Sequence, residues 1–211
     1  MTILEDIIRS WRKSPKGPLP RINELKVLVA LKVIEKKGPI GRYELSRKLN
    51  LSQGVVRGLI ERLRARGLIL VAKRGCTLTE EGERAIQDYL KAKNIVDYEE
   101  LEAPRISRLA PGKFVVGIKI AGGAEKVVDG ILQRDEAIKI GASGATTLIV
   151  KGGEIRFPKT CEAIGEIYAE ENAYLKDRFK VQDGDVIILC WAEDEARAFE
   201  GAVRAALTLF K

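Results

Sequence analysis

Leu51-Ser52-Gln53-Gly54-Val55-Val56-Arg57 opens the stretch that decides how the first half of this chain folds. Ser52 suits a helix N-cap, because its hydroxyl can accept from an amide that lacks a partner in the first turn. The helix it starts is predicted over residues 53–66, ends at Gly67 and turns Val55, Leu59 and Leu63 inward at four-residue spacing. Just upstream, Gly41 to Asn50 reads as a short helix with Leu45 and Leu49 inward, and Leu51-Ser52 is the tight turn between the two. Two helices so closely joined, the second with a polar outer face, form a helix-turn-helix.

The residues on either side extend that motif. Leu68-Ile69-Leu70-Val71-Ala72 is an apolar strand, Lys73-Arg74-Gly75 a basic glycine turn, and Cys76-Thr77-Leu78 the returning strand of a hairpin wing. Thr79 caps a further helix with Glu80 and Glu81 in its electropositive first turn, and this helix continues through Ala85, Ile86, Tyr89 and Leu90. Earlier, Asn23 caps a helix whose Leu25, Val27, Leu28, Leu31, Val33 and Ile34 point to nearly every side, so this helix should be central.

Residues 21–94 therefore read as one domain. Before it, residues 1–20 hold a short amphipathic helix (Ile3, Leu4, Ile7, Ile8 and Trp11 at helical spacing) and a proline-rich arm; the helix needs a surface to pack on and is a candidate dimer contact. After it, the acidic run from Asn94 to Pro104 and Pro111-Gly112 suggest a linker over 95–112, and residues 113–211 form a second domain.

Charge divides at the same place. The chain has 211 residues, 37 Lys+Arg, 30 Asp+Glu, net +7 and no histidine. Residues 1–95 carry 21 basic and 10 acidic side chains, net +11, and residues 96–211 carry 16 and 20, net −4. A basic half joined to an acidic half points to a polyanionic partner for the first. The absence of histidine excludes Ser-His-Asp triads, Cys-His nucleophiles and His-ligated zinc, and makes pH sensing by imidazole unavailable. Cys76, Cys161 and Cys190 are odd in number, far apart and without CxxC spacing, so they read as free thiols. The high charge content with few Asn, Gln and Met is thermophile-like. No apolar run is long enough for a membrane span and Glu5-Asp6 is unlike a signal peptide, so a cytoplasmic location is expected.

The order of these elements resembles the winged-helix DNA-binding domain of prokaryotic transcription regulators. The resemblance rests on Leu51 to Leu63, Arg66-Gly67-Leu68-Ile69, the wing, and Thr77-Leu78-Thr79-Glu80-Glu81-Gly82 leading from strand to helix. It covers residues 22–93, and the whole chain resembles archaeal two-domain winged-helix proteins with an uncharacterised C-terminal domain. Double-stranded DNA is then the expected partner. Gln53 and Arg57 on the outer face of the recognition helix are the base-edge candidates, since Gln can pair bidentately with adenine and Arg with guanine. Ser52 at the helix start, Arg42, Tyr43, Arg47 and Lys48 on the preceding helix, and Lys73 and Arg74 on the wing are candidates for phosphates or the minor groove. Gly54 and Gly58 either let the backbone approach DNA or pack beneath a neighbouring helix.

The second domain reads as α+β. Phe114, Val116, Ile118 and Ile120 alternate on a strand, and a helix follows with Val127, Val128, Ile131 and Leu132 on one face. Residues 146–150 and 154–157 are strands around the Gly152-Gly153 turn, Ile164, Ile167, Tyr168 and Leu175 mark a helix, 185–190 is a buried strand, and Ala196, Phe199, Val203, Leu207 and Phe210 stripe a last helix. The order β-α-β-β-α-β-α suggests a sandwich of ferredoxin-like type with an added C-terminal helix. Such a domain would sense a ligand or dimerise. Gly122-Gly123 could offer amides to an anion, and Ser143-Gly144 could approach a ligand closely; each is also explained as an ordinary turn. Glu193-Asp194-Glu195 reads as partner to a helix dipole rather than a cation site.

No catalytic residue, metal site or cofactor is expected. The reading is a sequence-specific transcription regulator, homodimeric, with a small organic or anionic effector or none. Two alternatives stay open: a metabolic enzyme with a winged-helix appendage, using Ser143, Asp129 or Glu193, and a winged-helix protein-interaction module.

Overall fold

A computed structural model describes residues 1–13 and 22–210, and the chain divides into two compact units, Met1–Ala92 and Lys93–Lys211. The proline-rich arm lies outside the described residues.

The first unit contains α1 (Ile3–Lys13), α2 (Glu24–Lys37), α3 (Arg42–Leu49), α4 (Gln53–Ala65), a hairpin of β1 (Ile69–Ala72) and β2 (Gly75–Leu78), and α5 (Glu80–Ala92). The α2 helix is capped by Asn23, whose side chain accepts from the Lys26 amide, and it buries eight residues from Leu25 to Ile34, as expected of a central helix. α1 buries Leu4, Ile7, Ile8 and Trp11 against this same unit, packing on α2 and α5. Its apolar face is therefore consumed internally, which removes it as a dimer contact.

Ser52 caps α4 by accepting from the Val55 amide, but the inward stripe is Val56, Leu59 and Leu63. The expected Val55 is only half buried. Four-residue steps drift about 40° each around a helix of 3.6 residues per turn, so Val55 lies off the stripe that Leu59 and Leu63 define. Thr79 accepts from the Gly82 amide at 3.1 Å and donates to the Gly67 carbonyl at 2.7 Å, which ties the start of α5 to the end of α4.

β1 and β2 pair with Ala72 opposite Gly75, so the wing tip is the two-residue turn Lys73-Arg74. Ile40 adds a third, one-residue strand by exchanging hydrogen bonds with Cys76 at 3.0 and 2.8 Å. Gly75 makes this approach possible, because a Cβ there would lie 2.5 Å from the Ile40 backbone.

The second unit is one antiparallel sheet with helices on both faces. Its strands are β3 (Ile95–Leu101), β4 (Phe114–Ile120), β5 (Gly144–Lys151), β6 (Glu154–Arg156) and β7 (Val186–Ala192), in the spatial order β3-β4-β7-β5-β6. Its helices are α6 (Ala103–Ile106), α7 (Ile131–Ile138), α8 (Ile164–Ile167), α9 (Ala169–Phe179) and α10 (Glu195–Ala206), with 3-10 turns at Ala124–Lys126 and Leu207–Phe210. The α+β class is as expected, and three details are not.

Residues 95–101, expected as the start of a linker, form β3, which pairs with β4 from Ile95–Ile120 to Leu101–Val115. Its acidic side chains concealed a strand whose two buried ends, Ile95 and Leu101, anchor it. The strand order also differs from a ferredoxin-like sheet, in which the third strand of the β-α-β-β-α-β unit sits between the first two. Here β7, the fourth of that unit, takes that place. β7 is apolar on both sides, so it belongs at the centre, while β6 is three residues long and suits an edge.

The third difference is α7. Val128, Ile131 and Leu132, expected inward, are exposed, and the buried positions are Gln133, Glu136 and Ala137. The polar ones are satisfied there: Gln133 donates to Thr208 Oγ1 at 2.7 Å, and Glu136 accepts from Lys139 at 2.7 Å and from Arg204 of α10.

On one face of the sheet Leu148, Val150, Ile187 and Leu189 pack under Ile106, Ile164, Leu175 and Phe179 of α6, α8 and α9. On the other, α10 packs on β4 and β7, and α7 on β5. Cys76 and Cys190 are buried and Cys161 exposed, all three as free thiols. Among the described residues no helix is long and apolar enough to cross a membrane.

Candidate nucleic-acid interface

The outer face of α4 presents Gln53, Gly54, Arg57, Glu61 and Arg64, all exposed. Beside it, α3 begins with Arg42 and Tyr43, and the wing ends in Lys73 and Arg74, again exposed. These three elements enclose a concave surface of about 450 Å3 lined by Arg42, Tyr43, Arg57, Ile60, Glu61, Arg64, Val71, Lys73 and Arg74 among others. Five cations and one carboxylate thus share one groove, and a low-dielectric concavity with such an excess of one sign of charge concentrates the field.

Within the groove Arg57 pairs with Glu61 at 3.1 Å, both side chains largely exposed. An exposed helical pair of this kind is worth about 0.3–0.5 kcal/mol, so a stronger acceptor can take Arg57 from it. The Arg42 guanidinium stands 5.2 Å from the Tyr43 ring centroid. Tyr43 itself is 66% exposed, and Val71 on the wing is exposed as well, so the groove carries apolar contact area beside its charge.

Of the candidates from the sequence, Arg42, Tyr43, Arg57, Lys73 and Arg74 meet here. Ser52 and Gln53 are exposed at the start of α4, outside the concavity, and Arg47 is exposed on α3 while Lys48 is half buried. Arg64 was missed, although its spacing seven residues after Arg57 places it on the same helix face. The two outer-face glycines separate. A Cβ on Gly54 would meet nothing within 4 Å, whereas one on Gly58 would lie 3.1 Å from Trp11 Cζ2, so Gly58 seats α1.

The ligand candidates of the second unit do not form a site together. Gly122 and Gly123 follow the end of β4 that pairs with Val186, and Gly144 sits opposite Trp191 at the other end of β7. Gly122 and Gly123 adopt φ of +68° and +100° and lead into a three-residue 3-10 turn, so no α-helix begins there to hold an anion. The Ser143 amide donates to the Trp191 carbonyl at 2.8 Å, and a Cβ on Gly144 would lie 2.3 Å from Trp191 Cζ2, so this loop is occupied by that ring. Asp194 accepts from the Arg197 amide at 2.9 Å as the cap of α10, the dipole role expected for that acidic run. Asp129 lines a second concavity that includes neither Ser143 nor Glu193.

Comparison with known proteins follows the same division. Residues 26–93 match the family model described as CggR N-terminal DNA binding domain, and residues 111–209 match a domain of unknown function, DUF4443. Among solved structures, hypothetical protein PH0730 from Pyrococcus horikoshii OT3 is similar over 88% of this chain and 91% of that one, with 30% identity and a TM-score of 0.62. The chain belongs to that protein's family. A protein with unknown function from Listeria innocua Clip11262 is similar over 41% of this chain and 61% of its own, with 21% identity and a TM-score of 0.29. No curated protein matches. The family architecture is thus a winged helix-turn-helix unit followed by a sheet-containing unit with a C-terminal helix.

Proposed function

We propose that this protein is a sequence-specific DNA-binding transcription regulator of the cytoplasm. Its α4 enters the major groove, its wing at residues 73–75 follows the backbone or minor groove, and residues 113–211 serve effector recognition or dimerisation. The observation that carries this reading is the convergence of Arg42, Arg57, Arg64, Lys73 and Arg74, from three separate elements, on one concave face. The similarity of residues 26–93 to a DNA-binding domain supports it.

The roles divide by chemistry. Arg42, Arg47, Lys48, Lys73 and Arg74, with Tyr43 and Ser52, hold phosphates and set the register. Gln53 and Arg57 read base edges, each contributing about 1–3 kcal/mol of discrimination. A single recognition helix reads few base pairs, so a homodimer on two half-sites is expected.

Full-length protein titrated against labelled duplex at several salt concentrations tests this. Affinity should fall steeply with salt, by about 0.9 in log K per log salt for each phosphate neutralised. Arg74→Ala should weaken specific and random duplexes alike, and Arg57→Ala should flatten the preference found by selection from a random duplex pool. An affinity independent of salt overturns the reading.

A further inference from the structure

Among the described residues that line the basic groove, Glu61 is the only acid. A carboxylate there meets phosphates when a duplex arrives, so it lowers affinity for DNA of any sequence. Its place is not explained by the needs of the helix. Glu61 is exposed and lies past the middle of α4, where the helix dipole gives a negative charge no support. Its pairing with Arg57 four residues earlier also runs in the weaker direction, since an acid followed by a base stabilises a helix better than the reverse.

What the pair does accomplish is to fix how Arg57 is presented. Arg57 donates through Nε to Glu61 Oε1 at 3.1 Å, and this is the bond that joins the two side chains. The two terminal nitrogens of Arg57 and the Oε2 of Glu61 have no partner among the described residues. Anchored at Nε, the pair therefore offers two donors followed by one acceptor, from a helix face that is open to solvent. In the major groove a G·C pair displays the guanine N7 and O6 acceptors and then the cytosine N4 donor, which is the complement of that order. An A·T pair in either direction shows acceptor, donor, acceptor, and a C·G pair puts its donor first. Of the four base pairs one matches in sequence and in direction.

We propose that Arg57 and Glu61 act as one unit that reads a single G·C base pair across both strands. The terminal nitrogens of Arg57 take the guanine, Glu61 Oε2 accepts from the cytosine amino group, and the Nε bond stays in place and holds the guanidinium on the base edge. Glu61 is thus a specificity-determining residue that also repels the phosphates of unrelated sequences. The proposal rests on the DNA-binding reading above and assigns the one carboxylate in that groove.

The full chain and its Glu61→Ala, Glu61→Gln, Arg57→Ala and double Arg57→Ala/Glu61→Ala variants test it. Wild-type protein first selects from a random duplex pool, and the chosen duplex, the same duplex with the G·C pair inverted, and a random duplex are then titrated at one salt concentration. The pool should fix a G·C pair in one direction at one position, and inverting it should weaken wild-type binding tenfold or more, in line with about 1–3 kcal/mol for each base contact. Glu61→Ala should shrink that penalty roughly tenfold and raise affinity for random duplex, and Glu61→Gln should raise random-duplex affinity as well. Arg57→Ala should abolish the penalty, and adding Glu61→Ala to it should change the penalty no further, because the two side chains read as a unit. The thermal midpoint of the Glu61 variants should stay at the wild-type value, which separates reading from folding. A selected pool without such a G·C pair, an unchanged penalty in Glu61→Ala, or a random-duplex affinity that does not rise overturns the proposal. If the wild-type chain binds duplex and Glu61→Ala behaves identically, this proposal alone fails; if the wild-type chain binds no duplex, the DNA-binding reading fails with it.

Discussion

The guanidinium of Arg62 lies 4.0 Å from the centroid of the Trp11 ring and donates to the Gly58 carbonyl at 3.0 Å. Burial beneath the indole lowers the Arg62 pKa, with Glu61 acting in the opposite sense. This contact, with the Arg66–Asp6 ion pair, fastens α1 to the side of α4 that faces away from the basic groove. It converts a short amphipathic helix, marginal alone, into a brace for the recognition helix.

Trp11→Ala should therefore cost about 3 kcal/mol of stability, near the lower end for truncating a buried tryptophan. Urea denaturation measures this directly. Duplex affinity should fall with it, while the salt dependence stays the same, because no phosphate contact is removed.

Gly54→Ala separates stability from binding. A Cβ at this position meets open space, so the substitution should add roughly 0.8–1.0 kcal/mol through helix propensity alone. If α4 lies close against a groove floor through Gly54, the same variant should bind duplex more weakly despite its greater stability. Unchanged affinity would show that the backbone does not approach DNA there.

Gly144→Ala should destabilise the second unit by about 1–3 kcal/mol, since its Cβ would fall within the Trp191 ring and force β5 or the indole to move. A lowered thermal midpoint with unchanged duplex binding by the first unit is the expected pair of results. A neutral substitution would mean that Trp191 is not held over this strand.

Acid should loosen the second unit. The hydrogen bonds from Arg108, at 2.6 and 2.5 Å, hold the Glu171 carboxyl below the usual carboxylate range against the opposing effect of burial. The Glu136 carboxyl is lowered in the same way, chiefly by its hydrogen bond from Lys139 and also by Arg204. A depressed folded-state pKa gives stability that is complete above the unfolded value, about 4.3 for Glu, and is lost as pH falls through the folded one. Denaturation midpoints should be flat near neutrality and decline below that value, and Glu171→Gln should shrink the decline. An equally steep acid loss in the variant would exclude this pair as its source.

The winged helix was legible in the chain because its signals are local. Asn23, Ser52 and Thr79 cap helices through hydrogen bonds to residues three positions on, and the two-residue wing turn needs only the register of its own hairpin. The basic character of the groove follows from composition, but its membership does not: Arg64 lines it together with the wing, and Gly58 is taken up by Trp11.

The second unit depended on partners distant in sequence. β3 looked like a linker because its acidic side chains mask a strand whose pairing residues lie some twenty positions onward, and α7 turned a polar face inward only because Arg204 and Thr208 of the last segments receive it. Local hydrogen bonding and side-chain periodicity are written residue by residue, whereas strand order and the sign of a helix face are settled by which surfaces are available to cover them. The caps, the wing and the charge division could thus be read from the order of residues alone. The place of β7 between β4 and β5 and the brace beneath α4 exist only once distant segments meet.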